Sequence, residues 1–329
     1  MARKILTRRS QVDPIRRRWI IIGLVAFIVV DILLIAWAVS AARTPHSNED
    51  PANSGLNTPA PTTSSTASSR PTASTTPAPT AVSLPDATQP TRIISALDAN
   101  TAWRAATGAC PATPGTLQGT SDGGATWKNS DAAGPAGASA IIRLSVQSAT
   151  QTDAVALATA GCAPEFIRTY VNGDNWAADP TQLGGTWYFN PANTAVVHSP
   201  QGDKPAPCPT VVGLAPRDAA SAAVLCSNHT VFRTADAGAT WGAATAVTGA
   251  VAISSSGAGY AAASVGVTTC AGVSLAVLDA ASSPPSTAGC FVTSTPAAGA
   301  VALSDGAGTL WLWAGGALAR SADQGKTWH

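Results

Sequence analysis

Arg168, Arg233 and Arg320 each stand directly before a Ser or Thr that opens the same short segment. Three guanidinium groups are what a carboxylate-binding site would use, but a shared place in a repeat explains these three as structural. Glu165 is the only glutamate after residue 91, so a Tyr–Glu nucleophile pair has at most one place to form. His198, His229 and His329, with His46 upstream, show no metal-ligand spacing, and no C-x-x-C occurs among the six cysteines. Zinc-ribbon and thiol-redox chemistry are therefore set aside. No catalytic residue, metal or cofactor is assigned. A formal net charge of +1 argues against a nucleic-acid partner recruited by bulk charge.

What positions these groups is an internal repeat. Thr120-Ser-Asp122-Gly-Gly124-Ala-Thr126-Trp127 returns as Thr234-Ala-Asp236-Ala-Gly238-Ala-Thr240-Trp241, and again as Ser321-Ala-Asp323-Gln-Gly325-Lys-Thr327-Trp328. A weakened copy keeps Thr169, Gly173 and Trp176 but has Val171 where the aspartate belongs. Each copy follows a short apolar strand. The pattern suits a hairpin turn: Asp accepts backbone N–H groups within the loop, and Gly supplies a positive φ. Thr enters the next strand, and Trp packs its large face between sheets.

The motif resembles the Asp-box, or bacterial neuraminidase repeat, of sialidase-like β-propellers, over about residues 92–329. The resemblance implies an all-β propeller with the boxes on its periphery, where they say nothing about activity. A sialidase of this type would need an arginine triad, a Tyr nucleophile with a Glu partner and an Asp acid–base. The family's F/Y-R-I-P motif is missing; Arg92-Ile93-Ile94 is the nearest approach and lacks both the aromatic and the proline. Glu165 precedes the strand leading to the weakened box, rather than lying beside a Tyr on a central strand. Propellers of this kind without catalytic residues act as binding platforms or assembly factors.

The spacing of the box tryptophans bears on blade number. The gap from Trp241 to Trp328 fits two blades, with a missing box near residues 279–290. Three strands before each box give five blades, from RIISAL (92–97) to ALARSA (317–322), and residues 185–199 could supply a decayed sixth. A strand near 84–91 is expected to complete the last blade. Of ~15 possible pairings of six cysteines, three local ones are favoured: Cys208–Cys226 flanking a hairpin, Cys270–Cys290 within one blade, and Cys110–Cys162 after the second strands of adjacent blades. Trp103, Trp187, Trp311 and Trp313 lie outside the boxes and read as packing between blades, with sugar stacking as the rival. The 180–210 stretch departs furthest from the repeat and is the candidate binding surface; on that view residues 199–207 could be removed without unfolding the ring.

Upstream, residues 19–42 (WIIIGLVAFIVVDILLIAWAVSAA) carry one charge, Asp31, and are long enough for a hydrocarbon core of ~30 Å. Seven Arg/Lys against one acid in residues 1–18 predict a cytoplasmic N-terminus. The run exceeds a signal-peptide core, which favours a retained signal-anchor over cleavage near Ala42. Residues 43–91, poor in large apolar side chains, read as a disordered Ser/Thr/Pro/Ala linker. The expectation is thus a single-pass membrane protein with a five- or six-bladed propeller over 92–329, outside the cell. Its role would be non-catalytic binding or scaffolding toward an extracytoplasmic protein or a cell-wall glycan; the alternative is a sialidase-type exo-glycosidase.

Overall fold

The computed structural model describes residues 84–281 and 283–329. The basic segment 1–18, the apolar stretch 19–42 and the linker as far as residue 83 lie outside the described residues. Among those described, no helix is long and apolar enough to cross a membrane.

The described chain forms six antiparallel sheets, each made of consecutive strands. The first holds β1 (Arg92–Ala96), β2 (Ala102–Ala106), β3 (Thr116–Thr120) and β4 (Lys128–Ser130). The second holds β5 (Ala138–Val146), β6 (Thr152–Ala158), β7 (Pro164–Thr169) and β8 (Ala177–Ala178). The third has only β9 (Tyr188–Asn190), β10 (Asn193–Ser199) and β11 (Gly202–Pro205). The fourth comprises β12 (Val211–Pro216), β13 (Ala222–Cys226), β14 (Thr230–Thr234) and β15 (Thr245–Ala246). The fifth comprises β16 (Ala250–Ser256), β17 (Gly259–Val265), β18 (Gly272–Leu278) and β19 (Ser286–Val292). The sixth is β20 (Val301–Gly306), β21 (Thr309–Ala314) and β22 (Ala317–Ser321). The first strands touch in cyclic order, β1 to β5, β9, β12, β16, β20 and back to β1. The fold is a six-bladed β-propeller.

Alanine makes this ring possible. Second strands lie between two neighbouring sheets, and β6, β13 and β17 are buried on both faces almost throughout. Small side chains such as Ala222, Ala223, Ala261, Ala262 and Ala263, all at most 1% exposed, let the sheets approach, and larger Ile, Leu and Trp side chains fill the wedges between them. The cysteines pair as Cys110–Cys162, Cys208–Cys226 and Cys270–Cys290. The first of these joins two sheets.

Two expectations change. Residues 185–199, read as two strands of a decayed sixth blade, do belong to a sheet of their own, which stands third in the ring and extends to Pro205. It has no box, and residues 199–207 contain β11, so their removal would strip an edge strand from the ring. Residues 84–90 form no strand. Instead they fasten the start of the ring through Ala87 N–H to Ser227 O (2.8 Å) and Gln89 Nε2 to Val211 O (2.7 Å), while Thr91 N–H reaches Gly299 O (2.9 Å). In the sixth sheet His329 exchanges two backbone bonds with Arg320, each 2.9 Å.

Candidate functional site

The three complete repeats fold into the same turn. In the first, Thr126 N–H (2.9 Å) donates to Asp122 Oδ1 and its hydroxyl to Oδ2 (2.5 Å), while Thr120 Oγ1 donates to Oδ1 (2.7 Å). Gly124 N–H closes on Thr120 Oγ1 at 3.0 Å. Asp236 and Asp323 repeat this set with Thr234/Thr240 and Ser321/Thr327. The glycine has φ of 80–93° in all four copies, a conformation costly for any residue with a Cβ. Of these bonds the weakened copy keeps only the one that Gly173 N–H donates to Thr169 Oγ1, at 3.0 Å. The Thr126 and Thr240 hydroxyls lead in pulling Asp122 and Asp236 down to about 2, and the Thr327 N–H leads in lowering Asp323 further.

Each repeat tryptophan reaches the preceding blade. Trp127 meets Trp311 edge-on at 6.5 Å, Trp241 Nε1 donates to Pro205 O at 3.1 Å, and Trp328 lies 5.7 Å from Phe291. These three rings are half-buried, short of the full burial their sequence suggests, because the turn holds them at the ring's outer edge. Trp176, in the weakened copy, is the one fully enclosed: it is 1% exposed, T-shaped on Trp103 at 5.7 Å, and donates to Ser130 Oγ. Trp103, Trp187 and Trp311 are core. Trp313 is half-exposed, but Arg92 and Arg104 lie over its ring at 4.5 and 4.9 Å. A sugar would have to displace them.

The repeat-position arginines have separate local partners. Arg168 forms a two-pronged pair with Asp153 at 2.5 and 3.0 Å. Arg233 donates to Thr245 Oγ1 at 2.8 Å, and Arg320 to Ala99 O at 2.6 Å. Glu165 pairs across to Ala156 in the middle of the second sheet; burial raises its pKa, and it lines neither the central channel nor the two pockets at its mouth. Tyr170 is exposed, Tyr260 is buried, and Tyr188 stacks on His198 at 4.5 Å. No glutamate lines any of these cavities.

The central channel, of about 310 Å³, is lined by the inner strand of every blade. Where first strands turn into second strands, two more pockets open. One of about 350 Å³ lies between the second, third and fourth blades. Another, of about 390 Å³, spans the turns of the fourth to sixth blades. Arg217 and Asp218 line both. The residues before β9 (185–187) share the first pocket with those after β12 (216–219), so β9 runs against the neighbouring inner strand. A three-residue inner strand of reversed direction leaves space beside its neighbours, and Arg143 and Trp187 wall that space.

Arg143 and Arg217 are the site residues that sequence reasoning passes over. Arg143 sits in AIIRLSV, an ordinary strand by its apolar residues; a lone charge on an innermost strand was the one available sign. The register shift between Ile141 and Arg143 is a β-bulge, which re-aims a side chain, and no sequence periodicity shows it.

No family model and no curated protein matches the chain. Solved structures do, at low identity. YCF48 from Cyanidioschyzon merolae is 14% identical with a TM-score of 0.38, over 75% of this chain and 86% of that one. The Aleuria aurantia lectin AAL, as a mutant in complex with Fucα1-6GlcNAc, is 10% identical with a TM-score of 0.44, over 73% and 94%. The BP39L lectin from Burkholderia pseudomallei is 15% identical with a TM-score of 0.42, over 72% and 82%.

Proposed function

We propose that this protein is a non-catalytic binding propeller of Asp-box type, held at the outer face of a membrane by residues 19–42, with an extracytoplasmic protein or a cell-wall glycan as its partner. One observation carries the reading: the channel and both pockets open at the same end of the ring, on loops presented by rigid strands, an arrangement suited to holding a ligand. The chemistry around that mouth is recognition chemistry. It offers Arg143, Arg217, serine hydroxyls and an indole, while the only glutamate after residue 91 lies elsewhere. Asp218 is committed to the N–H groups of Ala220 and Ser221 at 2.8 and 2.7 Å, and Asp305 to Gly308 N–H and the Ser256 hydroxyl.

The full chain in mild detergent, applied to glycan and peptide arrays, should show binding that falls at least tenfold when the 217–221 turn is replaced by Gly and Ser. Sialosides should not be turned over. Turnover lost in Glu165→Gln would replace the platform with an enzyme.

A further inference from the structure

Arg143 is a half-buried cation at a cavity wall, and the fold supplies no anion to it among the described residues. The bulge in β5 brings it to the wall shared by the channel and the 350 Å³ pocket. Solvent reaches it through those openings, but protein surrounds it, and desolvation pulls its guanidinium down to about 10. Among the described residues no ion pair includes it. Arg168, on the same sheet, shows the contrast, since it holds both oxygens of Asp153. That carboxylate is therefore taken, and Asp218 is held by its own turn. Arg217, also lining the pocket, lies near Tyr260 and likewise has no ion pair among the described residues. A desolvated charge without a partner costs free energy. A fold that keeps one at a cavity wall has left a place for the opposite charge.

We propose that Arg143 binds the carboxylate of a ligand seated in this pocket, with Arg217 as the second cation at its rim. A planar carboxylate matches the guanidinium fork in two parallel hydrogen bonds. A phosphate dianion fits less well, because Asp153 and Asp218 line the same space. Phe166, Trp187, Pro200 and Pro216 supply apolar wall for the rest of the ligand. The volume suits one terminal residue of a peptide or one ring of an acidic sugar. The inference rests on the binding-platform reading and adds the chemical class that the platform takes.

Calorimetry on the full chain in mild detergent tests it with four probes: N-acetylleucine and its amide, glucuronate and glucose. At least one acid should bind ten or more times tighter than its neutral counterpart, and which acid does so identifies a peptide or a sugar source. Arg143→Met should abolish that preference without lowering the thermal midpoint, since it removes a half-buried charge that has no ion pair among the described residues. Labelling of wild-type Arg143 by phenylglyoxal, read by peptide mass spectrometry, should be slowed by the same acid, while labelling of Arg320 should not. This second measurement stands even where the variant does not fold. No preference for either acid, unchanged binding in Arg143→Met, or unprotected labelling overturns the proposal. Array binding that survives Arg143→Met would leave the platform in place and remove only the carboxylate site.

Discussion

The aspartates of the three complete turns lie at the surface, yet each carboxylate accepts hydrogen bonds from a threonine on one side of the turn and a Ser or Thr on the other. Those bonds favour the ionised form, which is why Asp122 and Asp236 sit at about 2, against an unfolded value of ~3.9. A carboxylate with a depressed folded pKa contributes stability that is complete above the unfolded value and lost as pH falls through the folded one. The thermal midpoint should therefore drop as pH goes from about 4 to 2. Asp98 and Asp218, lowered by backbone N–H groups of their own turns, add to the same slope. Asp236→Asn should lower the midpoint at pH 7 and flatten that dependence; an acid slope identical to wild type would mean the turn carboxylates do not stabilise the ring. The tryptophans rank differently from what their motif suggests. Trp176→Ala, in the imperfect copy, removes a fully buried ring and should cost ~3–5 kcal/mol. Trp241→Ala removes a half-exposed ring and should cost less than half as much. Denaturant titration of both variants decides, and equal losses would contradict the difference in burial.

At the scale of the strand, legibility follows repetition. RIISAL, TAWRAAT and GTLQGTS announce β1, β2 and β3 because a turn with fixed chemistry ends the series. The fifth blade has no such turn, but the long interval before Trp328 leaves room for it. The third blade is legible as two strands over 185–199, while its third strand, β11, is not, for a physical reason. Its hairpins turn at Pro191-Ala192 and Pro200-Gln201, without the carboxylate that marks the three complete boxes, and no residue of its edge strand β11 is buried. Arg143 was hidden at this same scale. A bulge in β5 shifts side chains between faces without altering composition, so a strand of ordinary sequence carries one of the two pocket cations that have no ion pair among the described residues. The two non-repeating features, the reversed short strand and the bulge, meet at one wall, and that wall is the candidate site.

For the molecule as a whole, the first matter is where it is held. An anchor at residues 19–42 predicts that alkaline phosphatase fused after residue 83 is active and that the mature chain retains residues 1–40. A mature N-terminus near Ala42 would replace anchoring with secretion. The way the circle is fastened has a separate, mechanical consequence. Each sheet is built from consecutive strands, so among the described residues no strand from one end of the chain is woven into the blade of the other. The first and sixth blades are joined by the backbone bond from Thr91 N–H to Gly299 O, by the apolar packing of Ile94 and Ala102 with Ala302 and Trp311, and by side-chain bonds: Trp311 Nε1 to Asp98 O at 2.9 Å, Arg320 to Ala99 O, Ser304 Oγ accepting from Ala96 N–H at 3.0 Å, and Arg92 reaching Gly315 O. A tension applied between the two ends of the ring meets a clasp of single contacts before it meets any ladder of backbone bonds loaded in shear. Under such a pull the seam is expected to open first, and the blades, each a closed unit in sequence, to come away one at a time after it.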